Sequence, residues 1–209
     1  MTLKRLAVLA SGRGSNFLAI LEQTRTGYIP AIISLLITNN PDAGAIQNAQ
    51  KNDIPWRIIN PKDFSDRKAF NDKILDELIW AKIDYIILAG YLKLVGKQIV
   101  DRYSNKIINI HPALLPSFGG KGMYGHHVHQ AVYDRGVKVS GVTVHLVNSE
   151  YDDGPIVLQR CVSIERAKTP EEIASIVLKV EHEIFSQAIK LMVEEKLHIA
   201  GSRVEIIGD

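Results

Sequence analysis

The fold is decided by the stretch Leu6-Ala-Val-Leu-Ala-Ser-Gly-Arg-Gly-Ser-Asn16. It begins as a short apolar run, continues as a glycine loop and leads into a segment, 16–26, whose apolar residues recur at helical spacing. The apolar run is shorter than the core of a signal peptide, so it predicts a buried first strand. A strand, a glycine loop and a helix in this order are the start of a βαβ unit.

The same alternation continues along the first half of the chain. Predicted strands cover 6–10, 31–38, 56–59, 84–88 and 106–110, and predicted helices cover 16–26, 42–52, 67–81 and 96–103. This order predicts an α/β fold with a Rossmann-like, mostly parallel twisted sheet and helices on both faces. Ligands of such sheets bind beyond the carboxyl ends of the strands. We therefore expect the loops at that edge to form one site.

Beyond Pro112 the pattern changes. A loop rich in glycine and proline covers 113–125, followed by a predicted helix, 128–134, two strands, 140–147 and 156–164, a long amphipathic helix, 170–196, and a tail with short β-like character. The two strands are expected to pair antiparallel. Thr169, Pro170 and the acidic pair that follows them are typical of the start of a helix.

Composition narrows the class of protein. The chain has 209 residues and a formal net charge of +2, too little to indicate a nucleic-acid partner. The single cysteine, Cys161, excludes an internal disulfide and suits a reducing compartment, and its apolar surroundings predict a small buried side chain. No stretch approaches the length of a membrane span, so we expect a cytoplasmic protein without a membrane partner.

The glycine loop, residues 11–16, has the features of an anion site. Its glycines allow the backbone to approach a ligand closely, and the helix start that follows offers free N–H groups. A dinucleotide fingerprint needs a third glycine where Phe17 stands, and no Gly-Lys-Ser/Thr follows for a Walker A loop. A single phosphate fits better. The structural alternative is a tight turn in which Ser15 caps the helix.

A second set of polar residues follows the fifth predicted strand, in Asn109-Ile-His-Pro112. Two residues apart on a strand point to the same side, so Asn109 and His111 can face one pocket. An amide N–H and an imidazolium can both donate to an oxygen that becomes negative during acyl transfer. Asp152, in Asp152-Asp-Gly-Pro155, would favour the charged form of His111. The alternative is a turn-stabilising pair, with the aspartates as turn residues.

The other histidines are weaker candidates. His145 alternates along a strand with apolar neighbours, so we expect a packed histidine near the site rather than a catalytic group. His126, His127 and His129 suggest a metal, but no cysteine or carboxylate lies at ligand spacing, and a histidine pair alone is not a zinc signature. We expect a solvated helix face or a loop contact there, and no metal.

Taken together, these residues resemble the phosphoribosylglycinamide formyltransferases, a family of folate-dependent enzymes of purine synthesis. The stretches that carry the resemblance are 11–16, 88–94, 109–116, 140–145 and 152–155, and the likeness runs almost end to end. One segment departs from the family pattern. The family commonly has Pro-Gly after the Leu-Leu-Pro turn, where this chain has Phe118-Gly-Gly-Lys-Gly-Met-Tyr-Gly125.

The resemblance implies a role for each matching residue. The catalytic residues would be Asn109, His111 and Asp152, with His145 behind them. The substrate phosphate would be held by Gly14, Ser15 and Asn16, and the substrate ribose by Glu181. The folate pocket would be lined by Arg67, Leu92, Lys93, Leu94, Val95 and, again, Asn109. Lys93 stands where a longer basic residue is often seen.

The implied reaction is formyl transfer from 10-formyltetrahydrofolate to the glycine amine of glycinamide ribonucleotide, giving formylglycinamide ribonucleotide and tetrahydrofolate. The implied partners are small molecules only, and the implied assembly is a monomer or homodimer. We expect one formyltransferase domain, 1–209, with a phosphate-binding Rossmann-like part, 1–112, and a C-terminal part, 113–209, that carries the Asp152 loop and the final helix.

Three other functions compete with this expectation. Methionyl-tRNA formyltransferase shares the catalytic pattern but has an added C-terminal domain for tRNA, for which the chain is too short. Formyltetrahydrofolate hydrolase usually carries an N-terminal regulatory domain, whereas the first strand here begins by residue 6. A non-enzymatic nucleotide-binding module would use the glycine loop, but it gives no reason for Asn109, His111 and Asp152 to meet.

Overall fold

Strands and helices alternate along the chain in the computed structural model, which describes residues 3–208. The described strands are β1 (Lys4–Leu9), β2 (Ala31–Thr38), β3 (Trp56–Ile58), β4 (Tyr85–Leu88), β5 (Ile107–His111), β6 (Val139–Leu146), β7 (Ile156–Ser163), β8 (Leu197–Ala200) and β9 (Arg203–Ile206). The described helices are α1 (Ser15–Arg25), α2 (Gly44–Lys51), α3 (Arg67–Trp80), α4 (Lys97–Arg102), α5 (His126–Asp134) and α6 (Pro170–Val193). The chain divides into two compact units, Met1–Ile108 and Asn109–Asp209.

The first unit is built on parallel strands in the order β3-β2-β1-β4. In β1, Leu6 pairs with Ile33 on one side and with Tyr85 on the other. All four residues of β4 and the last four of β1 are buried, as expected for central strands that are covered on both faces. The predicted α/β fold class is confirmed, and the predicted elements of this unit differ from the observed ones by at most two residues at either end.

The second unit contains strands in the order β6-β7-β9-β8, in which β7 pairs with β9 in parallel and the two outer pairs are antiparallel. The predicted antiparallel pairing of β6 with β7 is confirmed, with Gly141 opposite Cys161, and the C-terminal tail forms an antiparallel hairpin of β8 and β9. The start of α6 is also confirmed, because the Thr169 side chain accepts a hydrogen bond from the Glu172 N–H at 3.2 Å. The predicted end at 196 is wrong. Glu195 has a left-handed φ of 58°, which stops the helix at Val193.

The prediction that Cys161 is buried is wrong. The residue lies in β7 and is exposed, not buried. Only Val157 is buried in this strand, and an apolar run does not show which faces of a strand other elements cover. Among residues 3–208, no helix combines the length and the apolar character that a membrane crossing needs.

Candidate active site

Asp152 lies between two histidines in the second unit. Its Oδ2 is 3.5 Å from Nδ1 of His111, and its Oδ1 is 3.6 Å from Nε2 of His145. His111 is the last residue of β5, His145 lies in β6, and Asp152 is in the loop that follows β6. The side chains of His111, His145 and Asp152 are 4%, 3% and 10% exposed, so their charges interact with little screening by water.

Asn109 joins this group through His145. The Nδ1–H of His145 donates to the Leu146 carbonyl at 2.8 Å, which leaves Nε2 of a neutral ring without a proton. That nitrogen accepts a hydrogen bond from the Asn109 side-chain amide at 3.0 Å. His145 therefore fixes the orientation of the Asn109 amide, which has a second N–H.

The ring of His111 is also fixed. Its Nε2 is 2.8 Å from the backbone carbonyl oxygen of Phe118. A carbonyl only accepts, so Nε2 carries the proton and, in the neutral ring, Nδ1 is bare and faces Asp152. This tautomer has the properties of a base at Nδ1.

Burial lowers the pKa of His111 below its usual value, and the Asp152 carboxylate and the Phe118 carbonyl only partly oppose that effect. Asp152 acts in the direction predicted from the sequence. The net shift of the His111 pKa is nevertheless downward, because the cost of burying a charge exceeds the attraction of the carboxylate. His111 rests as a neutral imidazole at neutral pH.

Asp152 stays ionised, because the effects that lower its pKa exceed the effect of burial. Burial raises its pKa, but the contact with His145, the nearby His111 and the Gly120 N–H together lower that pKa below its usual value. The Gly120 N–H donates to Oδ2 at 2.9 Å. The site therefore pairs a neutral base with a carboxylate that stabilises positive charge on it.

The glycine loop of the first unit leads into α1. Gly14 occupies the N-cap position with a left-handed φ of 82°, and no side chain caps the helix. The alternative in which Ser15 is the cap is therefore wrong; Ser15 is the first helical residue. A side chain at position 14 would lie 2.9 Å from the Ala45 backbone, so glycine is needed there. A helix start without a side-chain cap can bind an anion through its backbone N–H groups.

The loop after β4 meets the glycine loop within the same unit. Ser11 accepts the Leu92 N–H through its hydroxyl at 2.9 Å and donates its own N–H to the Gly90 carbonyl at 3.1 Å. Arg67 begins α3 and reaches the Leu94 carbonyl at 3.5 Å. The structure thus brings Arg67 together with the predicted folate residues. Leu92 and Lys93 are exposed and Leu94 is half-buried, whereas Val95 is only 4% exposed and belongs to the core.

Glu181 and His129 are buried polar residues of the second unit. Glu181 lies in the middle of α6 and is 8% exposed. His129 lies in α5 and is 6% exposed, so the expected solvated face does not include it. Burial, with the nearby His126 and His111, lowers the pKa of His129 to about 4, and its Nδ1 is buried without a hydrogen-bond partner.

The rest of the histidine cluster faces outward. His126 is 3.8 Å from Glu171, and His127 packs edge-on against the ring of Tyr124 at 5.0 Å between centroids. Across residues 3–208, no three histidine, cysteine or acidic side chains are grouped so that they could hold a metal ion.

Two functional groups were missed from the sequence. They are the Phe118 carbonyl and the Gly120 N–H, both backbone atoms in the segment that departs from the family pattern. Residue types predict side chains, and a backbone contact depends only on the path of the loop. Consecutive glycines at 119 and 120 were the available signal, since they allow a close approach of the backbone.

Comparisons with known proteins agree with this geometry. A family model described as formyl transferase matches residues 4–189. The chain is 42% identical over 197 residues to the chloroplastic phosphoribosylglycinamide formyltransferase of Arabidopsis thaliana, with 93% of this chain and 67% of the relative covered. It is 38% identical over 188 residues to the phosphoribosylglycinamide formyltransferase of Bacillus subtilis (strain 168), with 90% and 94% covered.

A comparison with solved structures points to the same family. The crystal structure of glycinamide ribonucleotide transformylase 1 from Symbiobacterium toebii matches with a TM-score of 0.93 and 35% identity, and the match covers 99% of this chain and 95% of that one. The chain therefore belongs to the formyl transferase family, and within it to the phosphoribosylglycinamide formyltransferases.

Proposed function

We propose that the chain transfers the formyl group of 10-formyltetrahydrofolate to the glycine amine of glycinamide ribonucleotide, giving formylglycinamide ribonucleotide and tetrahydrofolate. The observation that carries the proposal is the arrangement of Asn109, His111 and His145 around the Asp152 carboxylate. It supplies a base, a charge that stabilises the protonated base, and an oriented amide donor. These are the groups that acyl transfer to an amine requires.

His111 acts first as a base. Its bare Nδ1 takes a proton from the glycine amine as the amine nitrogen bonds to the formyl carbon. The imidazolium that forms lies 3.5 Å from the ionised Asp152 carboxylate, which lowers the free energy of the charged ring. His111 then returns the proton to N10 of the folate as the bond between that nitrogen and the formyl carbon breaks. One proton moves, one carbon–nitrogen bond forms and one breaks.

Asn109 stabilises the formyl oxygen while it carries negative charge. One N–H of its amide is held by His145, and the second is the donor for the oxygen. Because His145 is itself fixed by the Leu146 carbonyl, the amide needs no reorientation during the reaction. Preorganised donors of this kind typically contribute about 10²–10³ in rate.

In this proposal, the substrate-binding residues have the roles that the family resemblance implies. Ser15 and Asn16, at the uncapped start of α1, bind the phosphate, and Gly14 allows its approach. Glu181 binds the ribose. Arg67, Leu92, Lys93 and Leu94 contact the folate, with Asn109 beside the formyl group, and Val95 supports that loop from the core.

A single assay tests the proposed function. Loss of 10-formyltetrahydrofolate is followed by absorbance with the purified chain, with and without glycinamide ribonucleotide. We expect turnover that depends on the ribonucleotide and one formylglycinamide ribonucleotide for each folate consumed. Equal folate loss without the ribonucleotide would indicate a hydrolase, and ribonucleotide binding without turnover would indicate a binding module.

The proposal also covers location and assembly. A cytoplasmic location suits the single exposed Cys161, which calls for a reducing compartment. The chain acts on small molecules, without metal, nucleic acid or membrane, as a monomer or homodimer. Turnover that persists after treatment with a metal chelator is the expected result.

A further inference from the structure

Residues 118–120 contact both members of the His111–Asp152 pair through their backbone. The Phe118 carbonyl accepts from Nε2–H of His111 at 2.8 Å, and the Gly120 N–H donates to Oδ2 of Asp152 at 2.9 Å. Between them, a side chain at Gly119 would overlap the Leu115 side chain and lie 3.4 Å from the Asp152 Cβ. The segment therefore fits closely against the pair only because position 119 is glycine.

The backbone conformation of this segment is unusual. Phe118 has a left-handed φ of 56°, and Gly120 has a φ of 93°. A phenylalanine in this region costs free energy, so the surrounding contacts must hold it there. The carbonyl that Phe118 turns toward His111 is one such contact.

We propose that residues 118–120 are a positioning element for the reaction, in which the Phe118 carbonyl holds the proton of neutral His111 on Nε2 while the Gly120 N–H orients the Asp152 carboxylate. This inference rests on the proposed function, because it concerns how the same base is prepared. It assigns a role to a segment that has no catalytic side chain.

The chemical consequence lies at Nδ1. If the proton of the neutral ring were on Nδ1, that nitrogen could not accept the proton of the amine. Fixing the proton on Nε2 keeps Nδ1 bare on the side that faces Asp152. The titratable groups that act on His111 are Asp152, His145 and His129, and the hydrogen-bond partner of Nε2 is the Phe118 carbonyl.

The experiment uses the full chain, and its NMR part needs no substrate. The ¹⁵N shifts of the His111 ring, followed against pH, report both its tautomer and its titration. In the wild type we expect the Nε2–H tautomer and a titration midpoint below that of an ordinary histidine. In Gly119→Ala and Gly120→Ala, the segment is displaced, so we expect a mixture of tautomers, a midpoint that moves upward as burial is lost, and a kcat lower by about 10–100-fold.

Gly122→Ala is the matched control. Gly122 has a φ of 92°, nearly that of Gly120, and open space around it, so alanine brings the same backbone strain without touching the pair. We expect the wild-type tautomer, midpoint and kcat in this variant. The proposal is overturned if Gly119→Ala and Gly120→Ala are folded and keep the wild-type tautomer, or if Gly122→Ala shifts the tautomer equally.

A result on the wild type alone also decides the question. If neutral His111 carries its proton on Nδ1, the proposal is wrong whether or not any variant folds. Failure of the proposed function would look different, because the fixed tautomer would be present while no formyl group is transferred to glycinamide ribonucleotide.

Discussion

At the scale of single residues, the protonation of His111 is set by two opposing effects. Burial lowers its pKa and outweighs the Asp152 carboxylate, which raises it. Residue types alone indicated the second effect and not the first, because the exposure of a side chain is fixed by the whole fold. The proximity of His111 and Asp152 was thus predictable from the sequence, whereas the direction of the His111 pKa shift was not.

This balance predicts the effect of removing the carboxylate. In Asp152→Asn, the His111 pKa falls further, because the charge that opposes burial is gone. Titration of the His111 ring by NMR measures the change. Asp153→Asn is the control, since Asp153 bonds to the Asn148 side chain instead. A His111 titration that moves upward in Asp152→Asn, or moves equally in both variants, would contradict the proposed balance.

His129 predicts a dependence of stability on pH. Its pKa of about 4 in the folded protein lies below the 6.5 of a free histidine, so the unfolded chain binds a proton more readily between these values. The stability of the folded protein is therefore undiminished by this group above pH 6.5. As pH falls from 6.5 toward 4, the free energy of unfolding decreases, by at most about 3 kcal/mol. Urea unfolding across this range should show a flatter pH dependence for His129→Gln than for the wild type.

The control for this prediction is His127→Gln, because His127 is exposed and packs on Tyr124 rather than in the core. In this variant, the free energy of unfolding should depend on pH as it does in the wild type. If His129→Gln loses stability with falling pH as steeply as the wild type does, the buried neutral imidazole is not the source of the effect.

At the scale of elements, the Asp152 loop is held by a glycine that leaves no room for a side chain. A Cβ at Gly154 would overlap the Leu146 carbonyl, at the end of the strand that carries His145. We expect Gly154→Ala to lower the free energy of unfolding by about 1–3 kcal/mol. Gly12→Ala is the control, because its Cβ would meet open space. Equal urea midpoints for Gly154→Ala and Gly12→Ala would show that the Asp152 loop accommodates the added methyl group without loss of stability.

The start of α6 gives a prediction of the same kind. The Thr169 hydroxyl caps the Glu172 N–H, so Thr169→Ala should cost about 1 kcal/mol of stability. For a chain of this length that corresponds to a fall in Tm of roughly 2–4 °C. Thr169→Ser keeps the hydroxyl and should keep the wild-type Tm in a thermal melt. If Thr169→Ala and Thr169→Ser had equal Tm values, the Thr169 hydroxyl would not stabilise the start of α6.

The elements show where sequence patterns succeed and where they fail. β2 and the start of α6 were predicted to the residue, because apolar runs and capping residues are local signals. The end of α6 was missed, since the left-handed Glu195 that stops it has no residue signature. β7 was misjudged for a related reason. An apolar run does not say which faces of a strand other elements will cover.

At the scale of the whole molecule, the side chains that meet in the candidate site were predictable from the sequence, and the backbone contacts to them were not. Asn109, His111 and Asp152 were predicted as a group, and the structure adds His145 as the residue that orients Asn109. The Phe118 carbonyl and the Gly120 N–H could not be foreseen, because loop path decides them. The family assignment extends over residues 4–189 and so covers every predicted site residue.

The central claim is that a neutral His111, aided by the Asp152 carboxylate, moves a proton during formyl transfer to an amine. The most direct measurement is the rate of formylglycinamide ribonucleotide formation by the wild type, Asp152→Asn and Asp153→Asn at equal, saturating substrate. The account predicts activity in the wild type and in Asp153→Asn, and a loss of at least about 100-fold in a folded Asp152→Asn. Near-normal turnover in Asp152→Asn would contradict it.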